Sequence, residues 1–206
     1  MQKISNVNSI NNFEGFVKTY ISRLSACFSE EMNEEIYKLA QSLLTVWKSG
    51  NNVFLCGNGG SAGNAIHIAN DFIYGTGNCG LGKKISGLKV NALSANPAIL
   101  TCLGNDIGFE NIFSHQLKVL ANKNDILIAL SGSGNSPNII SAINTANQIG
   151  VKTYAILAFN GGKCKGIADY PLHFEINDMQ IAEDLQLIIG HLCMQWLSNN
   201  KPEFGN

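Results

Sequence analysis

The chain has 206 residues, 45% of them hydrophobic and 14% charged, with a net charge of −1. That length suits one well-buried domain and is short for two; the near-neutral balance argues against nucleic acid or an acidic membrane as partner, and the low share of charge favours an oligomer. Six cysteines (Cys27, Cys56, Cys79, Cys102, Cys164 and Cys193) form no CxxC pair, so neither a zinc knuckle nor a disulfide framework is expected.

Residues 1–15 lack a basic stretch followed by an apolar core, so no secretion signal is expected. No apolar run approaches the roughly 20 residues needed to span a bilayer, and a cytoplasmic location follows as an expectation. From about Asn11 to Lys48 the pattern is helical: Phe13, Phe16, Val17 and Tyr20, then Ile36, Leu39, Ala40, Leu43 and Leu44, recur at helical spacing. Ser49-Gly50-Asn51-Asn52 ends this region with turn chemistry. Val53–Cys56 reads as a buried strand, closed by Gly57-Asn58-Gly59-Gly60-Ser61, and a helix is predicted from about Ser61 to Tyr74.

The stretch 75–89 holds glycines at 75, 77, 80, 82 and 87 with little periodicity, and is expected to be a surface loop. Val90–Leu93 reads as a strand, Pro97 as the start of a short helical turn, and Phe109–Leu120 as helix. Asp125–Leu130 is a second buried strand, closed by Ser131-Gly132-Ser133-Gly134-Asn135-Ser136. Pro137 stands just inside the next helix, where its missing N–H costs nothing, and Gly150 stops it. Lys152–Phe159 and Pro171–Ile176 read as further strands, separated by Gly161-Gly162 and a short helix; a last helix spans about Ile181–Leu197. Near-continuous apolar strands alternating with helices mean an α/β fold with a parallel sheet covered on both faces. Ligands on such sheets bind beyond the carboxyl ends of the strands, where both glycine-serine loops lie.

Glycine lets backbone approach a ligand closely, the following helix offers unpaired N–H groups and a positive dipole end, and the serines add hydroxyl donors. Two such loops make a site for an anion such as phosphate. Neither a G-x-G-x-x-G fingerprint nor a Gly-Lys-Ser/Thr loop is present. His67 and Asp71 stand four apart on one helix face. Glu183 and His191 share a face of the last helix, about 12 Å apart along its axis, and share one ion or substrate only if both lean inward. Asp184 is read as a helix-dipole carboxylate of the first turn. Imidazole and carboxylate ligands suit a divalent ion such as zinc, and equally suit metal-free acid–base catalysis. Asp106 is either a crevice residue or an ordinary turn aspartate; His115 and His173 are read as structural.

Gly57–Ser61, Gly104-Asn105-Asp106 and Ser131–Ser136, with Glu183 and His191 on a terminal helix, together resemble the sugar isomerase (SIS) domain, and within it the phosphoheptose isomerase group. The resemblance implies a three-layer, flavodoxin-like α/β subunit over 51–206. It also implies an N-terminal helical segment, 1–50, packed in a homotetramer with active sites between subunits. It implies a zinc ion on His67, Asp71, Glu183 and His191. Phosphate would sit against Gly59, Ser61, Ser131, Ser133 and Ser136, with Asn58 and Asp106 touching the sugar. The family usually has glutamate where this chain has Asp71, and glutamine where it has Glu183. The implied reaction converts sedoheptulose 7-phosphate into a heptose 7-phosphate through an enediol. Asp71 is the first choice of base and Glu183 the second, with His191 returning the proton. The rival readings are a non-catalytic sugar-phosphate sensor or protein-binding adaptor, and an isomerase of another phosphosugar.

Overall fold

The computed structural model describes residues 13–203. Along the chain run α1 (Phe13–Ser25), α2 (Glu30–Ser49), β1 (Asn52–Gly57), α3 (Gly60–Asn70), a π-helical turn (Asp71–Gly75), α4 (Thr76–Asn78), β2 (Lys89–Ala92) and α5 (Pro97–Asp106). A 3-10 turn (Phe109–Asn111) follows, then α6 (Ser114–Leu120), β3 (Ile126–Ser131), α7 (Pro137–Ile149), β4 (Lys152–Leu157), α8 (Cys164–Ile167), β5 (Tyr170–His173) and α9 (Met179–Asn199). The five strands form one sheet in the order β2-β1-β3-β4-β5, every pair parallel. This is the flavodoxin-like winding, with the order reversing between β1 and β3.

Alternation along the central strands splits the core into two layers. Val53 and Leu55 of β1 join Leu39, Leu43, Ile68, Leu185 and Ile189 from α2, α3 and α9. Phe54 and Cys56 join Phe113, Leu117, Ile139 and Ile143 on the other face, with α6 and α7. At the amino ends of β1 and β3 the buried Asp125 carboxylate accepts from the backbone N–H groups of Asn52 and Asn122, each at 2.8 Å. These bonds satisfy a carboxylate that burial would otherwise penalise.

The single helical region predicted at the N-terminus is two helices. Ser29 breaks it by accepting from Met32 N–H at 3.2 Å as the cap of α2, and Gly50 ends α2 in the left-handed region, φ 72°. The predicted start at Asn11 and Asn12 lies outside the described residues. No residue of α1 is buried. Its polar ties to the body include the Tyr20 hydroxyl, donating to Asp184 Oδ2 at 2.5 Å, and the Arg23–Asp178 ion pair at 2.9 Å, while Tyr20 and Leu24 pack against the core.

The expected surface loop at 75–89 is in part a packed segment, with Gly75, Thr76, Gly77 and Leu88 buried. A Cβ on Gly77 would lie 2.1 Å from the Ile85 carbonyl oxygen, and one on Gly87 2.1 Å from that of Ile73. These glycines serve close backbone contact rather than exposure. Pro97 opens a full helix, because the Asn96 side chain accepts from the Ala98 and Ile99 N–H groups. Among the described residues, no helix is long and apolar enough to cross a membrane.

Candidate active site

The two glycine-serine loops leave adjacent strands, β1 and β3, and meet. Asn58 and Asn138 exchange amide hydrogen bonds of 2.9 and 2.8 Å, tying the first loop to the first turn of α7. Gly59 takes φ 56°, ψ −123°, a backbone conformation that favours glycine. Gly134, at φ 64°, lies so close to the Gly161 carbonyl that a Cβ would sit 2.0 Å from its oxygen.

Three of the loop serines accept hydrogen bonds at Oγ. Ser61 is buried, and its Oγ accepts from Gln186 Nε2 at 3.0 Å. Ser131 Oγ accepts from Gly134 N–H at 3.1 Å, and Ser133 Oγ from Asn135 N–H at 3.3 Å. A hydroxyl that accepts in these bonds keeps its own proton to donate. Ser136 stands at the cap position of α7 without a side-chain cap bond.

Helices α3 and α9 run side by side in the same direction. Ser61 meets Gln186, His67 meets His191, and Gly75 meets Met194. At the far end of α3 the imidazoles of His67 and His191 approach with their Nε2 atoms 2.9 Å apart. Asp71 Oδ2 lies 3.5 Å from the first and 3.4 Å from the second. One ligand atom from each of the three falls within 4.8 Å of the others, a group that can hold a metal ion. Both imidazoles are about half exposed, at 51% and 43%, so the group is open to solutes. Asp71 begins the π-helical turn, and such turns recur at functional sites.

The structure brings together three of the four residues expected around a metal and sets Glu183 apart. Glu183 stands two helical turns before His191, so it lies beside the start of α3 rather than its end. A Cβ on Gly60 would fall 2.3–2.5 Å from its carboxylate atoms, which places that carboxylate over the first loop. Asp106 is exposed at the end of α5, with Asn105 Nδ2 donating to Oδ1 at 2.8 Å. Among the described residues, no hydrogen bond joins Asp106 to either loop. Asp184 does not serve the first turn of α9: Asp178 caps it, accepting from the Gln180 and Ile181 N–H groups, while Asp184 takes the Tyr20 hydroxyl. His173 Nε2 contacts the Phe159 carbonyl at 3.0 Å, the structural role read for it, and His115 is exposed on α6. The three buried thiols are poor nucleophiles, since burial pushes Cys56 up, Cys164 up to about 11 and Cys193 up to about 12.

Two residues escaped the sequence reading. Gln186, 1% exposed, donates to Ser61, and its Oε1 accepts from Asn64 Nδ2 at 3.0 Å. Asn64 in turn donates to the Glu183 carbonyl at 3.0 Å. The signal was a glutamine on the buried face of an otherwise apolar helix, a polar group that needs a partner.

Residues 16–158 match the SIS domain family. A phosphoheptose isomerase of Aliarcobacter butzleri is 35% identical, with 82% of this chain and 87% of the relative covered. One of Clostridium acetobutylicum is 36% identical over 77% of this chain and 79% of its own. Among solved structures, a phosphoheptose isomerase from Francisella tularensis superposes with a TM-score of 0.82 at 25% identity, covering 91% of this chain and 96% of that one. The phosphoheptose isomerase from Neisseria gonorrhoeae gives 0.78 at 25% identity, covering 90% and 98%.

Proposed function

The chain belongs to the SIS domain family, and from that premise we propose that it is an aldose–ketose isomerase of phosphosugars, converting sedoheptulose 7-phosphate into D-glycero-D-manno-heptose 7-phosphate. One observation carries this reading: the hydroxyl-lined loops and the His67–Asp71–His191 group stand at opposite ends of α3. From Ser61 to His67 the helix rises about 9 Å. A substrate held by its phosphate at the loops therefore reaches the imidazoles with the far end of an extended sugar chain.

The three side chains fit zinc. Bonds of about 2.0–2.1 Å in a tetrahedron set neighbouring donors about 3.3 Å apart, and the carboxylate–imidazole separations are 3.4 and 3.5 Å. The imidazole–imidazole contact of 2.9 Å is shorter, and a small ring rotation opens it. Three protein ligands are the usual complement of a catalytic zinc, whose fourth position is left to water or substrate. When bound, the ion supplies polarisation of the substrate carbonyl.

Ser61, Ser131, Ser133 and Ser136, with the backbone of Gly59, bind the phosphate, and Asn58 braces the first loop. Binding energy far from the reacting carbons thus orients them. Asp71 turns Oδ2 toward both imidazoles and leaves Oδ1, which accepts from Asn70 Nδ2 at 3.4 Å, to take the proton beside the carbonyl. His191 returns a proton at the neighbouring carbon through its second ring nitrogen. A sensor would not need these proton-transfer groups, which favours the enzyme over a binding module. The exposed apolar residues of α1, among them Phe13, Phe16 and Ile21, support burial between subunits of a homotetramer, and a sugar phosphate as substrate points to the cytoplasm. Asp106 is assigned to the sugar.

The test is to mix the zinc-loaded protein with sedoheptulose 7-phosphate and follow product by NMR, with and without chelator. Conversion that stops on metal removal and returns with zinc is expected. No conversion would favour the sensor, and conversion that survives complete metal removal would reject the zinc.

A further inference from the structure

Gly190 precedes His191 on α9 and faces Ile68, the residue after His67 on α3. A Cβ on Gly190 would lie 2.6 Å from Ile68 Cγ1, 2.9 Å from Cδ1 and 3.3 Å from Cγ2. The clash would be with atoms at the branch of the side chain as well as at its tip. Ile68 is 2% exposed, and a β-branched residue in a helix is held near one χ1 rotamer, so it has little freedom to give way. Glycine also lowers helix propensity in the interior of α9; its compensation here is the close approach of two helices. The next contact along the same faces is looser, with a Cβ on Gly75 meeting Met194 Sδ at 3.3 Å. The Gly60–Glu183 approach between these helices meets the far end of a flexible side chain, whereas Gly190 meets a buried branched one; His191 follows Gly190 in the chain and His67 precedes Ile68.

We propose that Gly190 is a positioning residue for the His67–Asp71–His191 group: its missing side chain sets the separation of α3 and α9 at which both imidazoles and the carboxylate reach one ion. The inference rests on the metal reading above for its consequence, and on the helix contact alone for its geometry.

The experiment compares the parent, Gly190→Ala, and Gly190→Ala/Ile68→Ala, which removes the obstructing side chain while keeping the added methyl. Zinc affinity is read against a competing chelator, the cobalt-substituted absorption spectrum reports ligand geometry, and crystal structures of the metal-free chains give the His67–His191 separation. Gly190→Ala is expected to bind zinc about 10–100-fold more weakly, the range for changes in the support of metal ligands, with a shifted cobalt spectrum and separated imidazoles. The double variant is expected to recover affinity, spectrum and separation. Should Gly190→Ala alone fail to fold, a folded double variant with parental affinity supports the inference, and one that folds without binding overturns it. Parental zinc affinity in folded Gly190→Ala also overturns it. If the parent itself binds no zinc, the metal reading fails, and the crystallographic separation still decides whether Gly190 spaces the two histidines.

Discussion

At the scale of single residues, two side chains of α9 bear on how the proposed phosphosugar would be held. Glu183 places a carboxylate over the start of α3, beside the loops assigned to the phosphate, where like charge opposes binding. Glu183→Gln is expected to lower KM for the phosphosugar a few-fold while kcat and zinc content hold; steady-state kinetics with metal analysis check this, and loss of zinc would return Glu183 to the ligand set. Gln186 fixes the Ser61 hydroxyl as an acceptor from one side. Gln186→Leu leaves Ser61 and Asn64 without this partner, a loss of about 1–3 kcal/mol for buried polar groups. It is expected to raise KM about tenfold with kcat within a few-fold, and an unchanged KM would contradict the role. The pairing of His67 with Asp71 was legible because their spacing places them on one face, and the loop pattern is the signal on which the proposed anion cradle rests. Whether Glu183 joined them was not, because the choice depends on how two helices lie against each other. Gln186 was hidden for the same reason: its partners are over a hundred positions away in the chain.

Among the elements, the joint between β1–α3 and β3–α7 matters most. The reciprocal Asn58–Asn138 bonds at 2.9 and 2.8 Å tie the first loop to the first turn of α7. Asn58→Ala and Asn138→Ala are each expected to cost about 1–3 kcal/mol, as a partially buried amide is left unpaired. The double variant should cost less than their sum, and urea denaturation of the four chains measures the coupling. Strict additivity would mean that the pair does not act as a unit. The strands and α7 followed from their apolar runs, with Pro137 and Gly150 as punctuation. The break between α1 and α2 did not, because hydrophobic spacing continues across Ser29 and only its side-chain bond to Met32 marks the new start. The 75–89 stretch was read as surface because glycine usually signals turns; here its lack of a side chain serves backbone contact.

For the whole molecule, protonation ties stability to pH at the alkaline end. Burial raises Tyr154 from 10.0 to about 12, and burial followed by the Asp184 hydrogen bond does the same for Tyr20. Burial lifts Cys193 from 9.0 to about 12. In each case the folded chain keeps a proton that the unfolded chain releases, so these contributions are complete below the unfolded values and are lost as pH rises toward 12. The urea midpoint is expected to hold up to about pH 9 and fall progressively above it; a midpoint flat to pH 11 would contradict this. Fold class and strand succession were legible in the alternation of elements. The sheet order was carried by resemblance, since spacing alone does not choose which strands pair. The account as a whole turns on Asp71 taking a proton from one carbon and His191 delivering another, drawn from solvent, to its neighbour, and the most direct measurement is the NMR spectrum of product formed from sedoheptulose 7-phosphate in D₂O by the zinc-loaded chain. Deuterium at C2 of the aldose phosphate is the expected result; product without deuterium there, or no product, would contradict it.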